Sequence, residues 1–305
     1  MSFVVDTSIP FTEHFVRHGF AVLPGLVDPA FCAEALDEIR RLIEDRRPLD
    51  TWTIDKPGIV NVPFFEDVGR DEGNSSPVLG GIFDQPQLRA AIDKLHGGPD
   101  RWDGVRNYYY LIKPFDPAGE PKLNLDGFHV DFGTLPPPTL YRGFLFMVSL
   151  VDTEPFSGNF TCRPGSHRIA QKMFIEDPEL VGNDPQVKEL ICDRLPVYEF
   201  VAEAGDVLLW HHLLYHEGNP SHSLNRRPRV ALLGEAFREN WLTEINPSDP
   251  DLSPWERSLA QNSFHKPMRD EGRFARSKRA ERIAVYEAKG ISVDEKWKHY
   301  SHRTG

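Results

Sequence analysis

Cysteine is scarce in this chain, and long apolar runs are missing. Cys32, Cys162 and Cys192 stand far apart among 305 residues, without a C-x-x-C pair. An odd, scattered set of this kind argues against a disulfide framework and favours a reducing compartment. No apolar stretch reaches the roughly 18 residues of a membrane span, and the opening MSFVVDTSIPFTEHF lacks the basic start and apolar run of a secretory signal. We therefore expect a soluble, cytoplasmic protein without a membrane partner.

Basic residues are also fewer than acidic residues. The chain has 35 Lys and Arg against 46 Asp and Glu, a net charge of -11. Nucleic-acid-binding domains are more often basic, so this balance argues against a nucleic-acid partner. There is no serine-hydrolase elbow, phosphate-binding loop or zinc cluster, which makes those enzyme classes poor candidates. The 20 Phe, 8 Tyr and 6 Trp instead predict a large core rich in aromatic side chains.

Helical patterns dominate the first third of the chain. In VDPAFCAEALDEIRRLIEDRR, apolar residues recur at helical spacing, Asp28 is a suitable N-cap and Pro29 a suitable first residue. Shorter helices are predicted in FTEHFVRH, which ends at Gly19, and in QPQLRAAIDKLHG, with a short strand in FAVLPGL between the first two helices. Residues 49–80 are predicted to be loops with one short strand at IVNVPFF. We expect residues 11–102 to be a helical N-terminal part with loops.

The pattern changes to short apolar runs separated by Gly, Pro and Asp between about residues 103 and 237. These lengths and turn signals are typical of an all-β sandwich or barrel. After Trp241 the sequence predicts a loop and then a helix around 270–289. We therefore expect one domain over residues 1–305, mainly β, with a core at 103–237 and a C-terminal helical extension at 238–305.

A histidine and a carboxylate two residues apart stand in GFHVDFG. On a strand, His129 and Asp131 would point to the same face, where both can reach one ion. The motif alone decides little, because composition predicts about two such pairs by chance. The functional assignment therefore depends on what lies elsewhere in the chain.

A second histidine cluster follows in AGDVLLWHHLLYHEGNPSHSLNRRPRVALLGEAF. It contains His211, His212 and His216, and then a group of arginines ahead of a strand. Between the two clusters, the strand of NFTCRPGSHR ends in a Pro-Gly turn. In order, the chain thus carries a His-x-Asp, a Pro-Gly-Ser-His-Arg turn, a Gly-Asp turn before a strand, a distal histidine and a following arginine.

This ordered set resembles the phytanoyl-CoA dioxygenase family of iron(II)- and 2-oxoglutarate-dependent oxygenases. The N-terminal HGFAVLPGLVDPAFCAEALDEIRRLI resembles the opening strand and helix of that family, so the resemblance covers roughly residues 11 to 237. It implies a double-stranded β-helix (a cupin-like jelly roll) with flanking helices. It also implies Fe(II), 2-oxoglutarate and dioxygen as the cofactor and cosubstrates.

The resemblance implies that His129, Asp131 and His216 ligate the iron. Two imidazoles and one carboxylate on one face of the metal leave positions for a chelating oxoacid and for dioxygen. His212 shares strand parity with His216 and is the alternative ligand, whereas His211 is expected to be structural. The reaction implied is decarboxylation of the oxoacid coupled to attack on a C–H bond.

An arginine is expected to bind the far carboxylate of the oxoacid through its two-pronged guanidinium. Arg227 has the usual spacing from the distal histidine, whereas Arg229 fits the pattern leading into the strand. The strand before His-x-Asp often adds a polar group in this family. Its parity leaves two alternatives, which are Asn107 with Tyr109 and Lys113, or Arg106 with Tyr108 and Tyr110.

The chain departs from the family at Gly218, where many members have a serine that helps the arginine. Ser221 or Ser223 is a possible replacement. Asp131 itself favours hydroxylation, because related halogenases have a small residue there. We therefore expect a monomeric or homodimeric hydroxylase of a small organic molecule. The alternative is a non-catalytic or oxoacid-independent metal-binding protein on the same fold.

Overall fold

The computed structural model defines a β core covered by helices. It describes residues 3–44, 46–52, 76–123, 125, 127–130, 143–176, 191–219, 221–237, 246, 248–260 and 288. Asp131, the strand expected at IVNVPFF and the helix expected around 270–289, except for Ala288, lie outside those residues. Among the described residues, no helix is both long and apolar enough to cross a membrane.

The described residues of the N-terminal third contain the predicted helices at α1 (Phe11–His18), α2 (Pro29–Leu42) and α4 (Pro86–His96) and the predicted strand β1 (Phe20–Leu23). In α2, the Asp28 carboxylate accepts a hydrogen bond from the Ala30 amide at 2.8 Å, which caps the helix at its first turn. α1 ends at Gly19, whose φ of 79° is the left-handed conformation that closes a helix and turns the chain into β1. This part also contains α3 (Pro77–Gly80) and 3₁₀ turns at Leu49–Thr51, Gly81–Asp84 and Pro99–Arg101.

Two antiparallel sheets form the core. The large sheet has the strand order β1-β6-β3-β8-β2 and the small sheet β5-β4-β7, so strands adjacent in space come from distant parts of the chain. This arrangement is a double-stranded β-helix, which confirms the predicted fold. The remaining elements are β2 (Gly104–Lys113), β3 (Gly143–Ser149), β4 (Phe160–Cys162), α5 (Ser166–Glu176), β5 (Tyr198–Glu199), β6 (Val207–His211), β7 (His216–Gly218), β8 (Arg229–Phe237) and α6 (Pro254–Ala260).

The two faces of the large sheet have different neighbours. On one face, the Trp210 ring lies 5.0 Å from the Phe160 ring of the small sheet, so this face looks into the space between the sheets. On the other face, the Phe144 ring packs 5.5 Å from Phe15 of α1 and 4.8 Å from His96 of α4. We refer to these as the inner and outer faces of the large sheet.

Three helices were not anticipated from the sequence. One is α3, a single turn at Pro77–Gly80 at the end of the segment that we predicted to be loops. α5 begins at Ser166 directly after the Pro-Gly turn, where we had predicted only the turn. α6 carries a reciprocal cap, because the Glu256 amide donates to the Ser253 hydroxyl at 3.2 Å and the Ser253 amide to the Glu256 carboxylate at 2.8 Å. The Ser-x-x-Glu spacing is a signal for this helix that we overlooked.

Candidate active site

The two predicted histidine ligands are brought together by backbone pairing. His216 opens β7, and His129 forms an antiparallel bridge to it, with the two amide-to-carbonyl hydrogen bonds at 3.0 and 2.9 Å. Residues directly opposite each other in such a pair point to the same side of the sheet. The imidazole rings accordingly lie with their centroids 4.7 Å apart.

The hydrogen bonds of both rings specify the same tautomer. His129 Nδ1 lies 2.9 Å from the Gly127 carbonyl oxygen, and His216 Nδ1 lies 2.8 Å from that of Leu214. A carbonyl only accepts, so Nδ1 carries the proton in each ring and the lone pair is on Nε2. This is the arrangement found in metal-binding histidines, whose second nitrogen donates to a carbonyl. In both neighbouring imidazoles, Nε2 is therefore the nitrogen that can ligate a metal ion.

Aromatic packing fixes the orientation of the buried His216 ring. The Phe160 ring stacks on it at 5.0 Å with an interplanar angle of 13°, and the Trp210 ring lies 6.0 Å away. The expected third ligand, Asp131, lies outside the described residues. Among the residues that are described, no cluster of three His, Cys, Asp or Glu side chains has metal-binding geometry.

Two cations face each other beside this histidine pair. Lys113 and Arg229 are direct partners in the pairing of β2 with β8, so their side chains leave the same face. Burial lowers the pKa of Arg229 to about 10, so the guanidinium stays charged at neutral pH. Burial, followed by repulsion from Arg229, lowers the pKa of Lys113 to about 8, although the negative charge of Glu217 acts in the opposite direction.

The hydrogen-bond donors of the Arg229 guanidinium are only partly paired with acceptors. It is 4% exposed, its Nε has no hydrogen-bond partner among the described residues, and its Nη1 lies 4.0 Å from the soft sulfur of Met147. A buried donor without an acceptor is costly, and a buried cation is more so. A carboxylate of a ligand would satisfy both the charge and the donors.

Gly218 joins the histidine pair to the cations. It lies two residues after His216 on β7, and a Cβ atom there would be 3.2 Å from Arg229 Nη2 and 3.8 Å from Lys113 Nζ. The absence of a side chain at Gly218 therefore lets the Arg229 guanidinium and the Lys113 side chain approach β7 closely. Ser221 and Ser223, which we considered as replacements, direct their hydroxyls to the Arg227 carbonyl at 2.8 and 3.2 Å.

The other residues predicted to bind the oxoacid are placed differently. Arg227 is exposed in the turn before β8, and Tyr110 pairs with Leu232, one position out of phase with Arg229, so it belongs to the outer face. Neither lies with Lys113 and Arg229. The side chains of Asn107 and Tyr108 lie outside the described part of the chain.

A bulge in β2 explains why strand parity was an unreliable guide. The β2–β8 register shifts between Arg106 and Tyr109, so that Arg106 pairs with Glu235 and Tyr109 with Leu233. Three residues of β2 thus span the length of two residues of β8, so β2 contains one extra residue. Positions of β2 that strict alternation would place on the same face therefore lie on opposite faces before and after the bulge. The bulge therefore separates Arg106 from Tyr110 in the second predicted group, whereas Tyr109 and Lys113 of the first group remain on one face, the face of Arg229.

The remaining histidines of the second cluster have other partners. His212 Nε2 lies 3.4 Å from a carboxylate oxygen of Glu235, and both side chains are buried. His211 belongs to the outer face, where its ring lies 5.3 Å from that of His167 and its Nδ1 accepts a hydrogen bond from the Leu213 amide at 3.0 Å. Glu235 and Met147 were not anticipated from the sequence, because no local sequence signal shows which residues of a strand lie on the inner face of the sheet.

Comparison with solved structures shows which other proteins have this fold. The epimerase SnoN, in complex with Fe3+, alpha ketoglutarate and nogalamycin RO, is 20% identical and matches with a TM-score of 0.54 over 75% of this chain and 82% of that one. The carbocyclase SnoK from nogalamycin biosynthesis is 16% identical, with a TM-score of 0.55 over 80% and 89%. EctD from S. alaskensis, with 2-oxoglutarate and 5-hydroxyectoine, is 20% identical, with a TM-score of 0.54 over 88% and 89%. All three share the double-stranded β-helix.

The family follows from the sequence itself. The profile of the phytanoyl-CoA dioxygenase family matches residues 15–229, which is more than half of the chain. A search of curated protein sequences found no match to the chain. The chain therefore belongs to the phytanoyl-CoA dioxygenase family. It is an iron- and 2-oxoglutarate-dependent oxygenase that uses dioxygen as cosubstrate.

Proposed function

We propose that this protein hydroxylates a C–H bond of a small organic molecule. In the overall reaction, 2-oxoglutarate loses carbon dioxide to give succinate, and the two atoms of dioxygen end in succinate and in the new hydroxyl group. We assign iron binding to His129, Asp131 and His216, and cosubstrate binding to Arg229 and Lys113. The observation that carries the assignment is the bridged His129–His216 pair, in which both rings direct Nδ1 to a backbone carbonyl, next to the buried Arg229 and the partly buried Lys113.

The residues present fit the implied iron site. Both imidazoles have the Nδ1–H tautomer that a divalent metal requires of Nε2 ligands. Asp131 follows His129 at the spacing of a shared strand face and would supply a negative charge. Bound iron would supply the activation of dioxygen that the amino acids lack. The contribution of the chain is to hold the metal and to exclude water around the His216 ring through Phe160 and Trp210.

The cation pair fits the far carboxylate of 2-oxoglutarate. Arg229 offers a planar, two-pronged donor, and Lys113 offers a second positive charge on the same face. Because the side chain of Lys113 occupies the position next to Gly218, its ammonium can take the part that the family more often gives to a serine hydroxyl. This arrangement would orient the oxoacid with its keto end toward His129 and His216.

The choice of hydroxylation rests on the carboxylate at position 131. A ligating aspartate occupies the position that a halogenase of this class leaves open for halide. The same fold also occurs in the epimerase SnoN and the carbocyclase SnoK. The outcome therefore depends on which substrate carbon lies near the metal, and product analysis by mass spectrometry separates a gain of one oxygen atom from a change of isomer.

The decisive experiment is an anaerobic titration of metal-free protein with Fe(II) and then 2-oxoglutarate. We expect the weak visible charge-transfer band of a chelated oxoacid in the wild type and its loss in His216→Ala and Asp131→Ala. His222→Ala, in the partly exposed loop after β7, is the matched histidine control and should keep the band. Iron binding without a band in the wild type would reject the oxoacid assignment.

Arg229 and Arg227 provide a matched pair of substitutions to test the binding site for 2-oxoglutarate. Removing a buried charged hydrogen-bond donor costs about 1.5–3 kcal/mol, so Arg229→Ala should weaken 2-oxoglutarate binding by about 10- to 150-fold. Arg227→Ala, in the exposed turn two residues earlier, should change it less than about twofold. Equal effects of the two substitutions would exclude Arg229 as the carboxylate ligand.

A further inference from the structure

The two histidines assigned to iron are supported unequally by the fold. His216 opens β7, is 6% exposed and has the Phe160 ring stacked on it at 5.0 Å. His129 is more exposed and joins β7 through a single bridge outside the named strands. Its Nδ1 donates to the Gly127 carbonyl, which belongs to the same short segment. The orientation of the His129 ring therefore depends on what holds Gly127 in place.

Glu217 of the neighbouring strand binds the Gly127 backbone. The Gly127 amide donates to the Glu217 carboxylate at 3.1 Å, and the Gly127 carbonyl accepts from His129 Nδ1 at 2.9 Å. These two groups belong to adjacent peptide planes that meet at the Gly127 Cα atom. Because only two dihedral angles relate such planes, fixing the first restricts the second. Two successive hydrogen bonds thus join Glu217 to the acceptor of the His129 ring.

The position of Glu217 on β7 keeps its carboxylate out of the metal site. It stands between His216 and Gly218, so its side chain leaves the opposite side of the small sheet from both. Its negative charge is nevertheless close enough to act on Lys113. The contact with Gly127 therefore makes Glu217 a support for a ligand and not itself a ligand.

A second contact keeps the segment with His129 on the small sheet. The buried ring of Phe128, the residue between Gly127 and His129, lies 4.7 Å from the Arg163 guanidinium carbon, and Arg163 Nη1 donates to the Leu195 carbonyl at 2.7 Å. This contact anchors the chain but does not involve the carbonyl that orients the His129 ring. We therefore expect the segment to remain docked, with a less well oriented imidazole, when the Glu217 carboxylate is removed.

We infer that Glu217 is a positioning residue for the iron ligand His129. It acts through Gly127 and sets the direction of His129 Nε2, so that a metal ion meets two preset imidazoles. The inference rests on the proposed function, because it takes His129 to be an iron ligand. Outer partners of metal-binding histidines commonly account for about 10- to 100-fold in metal affinity. Glu217 acts through one further hydrogen bond, so an effect of about tenfold is expected.

Titration calorimetry of the metal-free protein with Co(II), a paramagnetic substitute for Fe(II), tests this role. Co(II) is added without 2-oxoglutarate, so that the influence of Glu217 on Lys113 does not enter the result. Glu217→Ala should weaken Co(II) binding about tenfold. Glu217→Gln keeps an acceptor for the Gly127 amide and should bind within about threefold of the wild type, which separates positioning from charge.

Gly127→Ala tests the same contact while Glu217 stays in the chain. A Cβ atom at Gly127 would lie 2.2 Å from Oε1 of Glu217, so the added methyl group must displace the carboxylate. This substitution should weaken Co(II) binding about as much as Glu217→Ala, and the double variant should bind no more weakly than either single variant. It keeps the inference testable if Glu217→Ala does not fold. Additive losses in the double variant would overturn the inference.

Glu199 provides the matched control on the same sheet. Thr161 pairs with Glu217 on one side and with Glu199 on the other, so the three side chains leave the same face. Glu199 also accepts from a backbone amide, that of Phe156 at 2.7 Å, but this loop carries no residue assigned to iron. Glu199→Ala should therefore keep the Co(II) affinity of the wild type. Equal weakening in Glu199→Ala and Glu217→Ala would overturn the inference.

Proton NMR of the Co(II)-loaded protein gives a signature that a merely structural role would not change. The Nδ1–H protons of ligating histidines are shifted by the paramagnetic ion and exchange with water at rates that depend on their hydrogen bonds. We expect two such resonances in the wild type and in Glu217→Gln. In Glu217→Ala, the resonance of His129 should be lost to faster exchange while that of the buried His216 remains. Two unchanged resonances in Glu217→Ala would contradict the positioning role.

His129→Ala separates failure of this inference from failure of the proposed function. If His129→Ala binds Co(II) as tightly as the wild type, His129 is not a ligand, and the iron assignment and the inference fail together. If His129→Ala weakens binding and Glu217→Ala does not, only the role of Glu217 fails. Weakening in both variants, with Glu199→Ala unchanged, supports both.

Discussion

At the scale of single residues, the most consequential feature is a pair of like charges held side by side. Lys113 and Arg229 oppose each other on β2 and β8, and burial with mutual repulsion lowers the pKa of the lysine to about 8. The folded state therefore binds fewer protons than the unfolded state between pH 8 and the ordinary lysine value, so without ligand the stability rises with pH in that window. We expect a bound carboxylate to relieve the repulsion within this pair.

This pKa predicts how cosubstrate binding depends on pH. The Lys113 ammonium loses its charge as the pH rises through about 8, so the Kd of 2-oxoglutarate should increase above that pH. Arg229, with a pKa of about 10, stays charged over most of the range, and Glu217 is the facing acid. In Lys113→Met, the Kd should be raised about tenfold or more at pH 7 and be nearly independent of pH up to 9.

The measurement is a titration of 2-oxoglutarate at half-unit steps between pH 6.5 and 9.5. Lys122→Met removes an exposed lysine, 74% accessible, and should retain the wild-type pH dependence. A rise in Kd above pH 8 that persists in Lys113→Met would assign the titration to another group.

At the scale of elements, the turn before β6 ties three parts of the fold together. The Gly205 amide donates to Ser149 at 2.8 Å, and its carbonyl accepts from Val27 at 3.0 Å. The Asp206 carboxylate accepts from the Gly25 amide at 2.7 Å. The turn thus sets the position of β6, which carries Trp210 into the site.

Two glycines with similar backbones allow a test of this turn. Gly205 and Gly25 both have positive φ, 94° and 57°, but only at Gly205 would a Cβ meet backbone, the Val27 carbonyl oxygen, at 2.1 Å. Gly25→Ala should cost about 1–2 kcal/mol, the ordinary cost of a left-handed residue. Gly205→Ala should cost at least about 2 kcal/mol more, because the backbone must move as well.

Denaturant unfolding of the two variants measures the difference. A larger loss in Gly25→Ala than in Gly205→Ala would show that the contact with Val27 does not determine the stability of the turn.

At the scale of the whole molecule, buried neutral histidines connect the helical layer to the core. His167 at the start of α5 is fully buried and directs Nε2 to the Val16 carbonyl of α1 at 3.3 Å. Burial and the nearby Arg168 lower the pKa of His167 to about 3, and burial with His14 lowers that of His18 to about 4. The contact between α1 and α5 therefore depends on histidines that stay uncharged.

This predicts loss of stability in mild acid. Below pH 6.5 the unfolded chain takes up protons at these histidines that the folded chain excludes. The fully buried His167 therefore lowers the free energy of unfolding by up to about 1.4 kcal/mol per pH unit, and the partly exposed His18 contributes less. His167→Gln keeps a donor for Val16 without the titration, so its melting temperature should fall less between pH 6.5 and 4.5 than that of the wild type. His222→Gln serves as the control, and an equal fall in all three proteins would contradict the role of His167.

Local patterns were sufficient for much of this architecture. The capped helix at Asp28, the helix ended by Gly19 and the apolar runs of the β core all depend on neighbours within a few residues, whose chemistry is visible in order along the chain. The same holds for His216 and for His129, which stand in short motifs. The signal for α6 was also present, in the Ser253–Glu256 spacing.

The composition of the site depended on contacts between distant segments. Arg229 rather than Arg227 lies beside Gly218 because β8 begins at Arg229 and pairs with β2, a choice made by sheet register. The bulge in β2 separated residues that a strict alternation groups together. The face on which Arg229 lies is determined in the same way, since which side of a strand is inside depends on what packs against it, and the strands that pair with β8 come from distant parts of the chain.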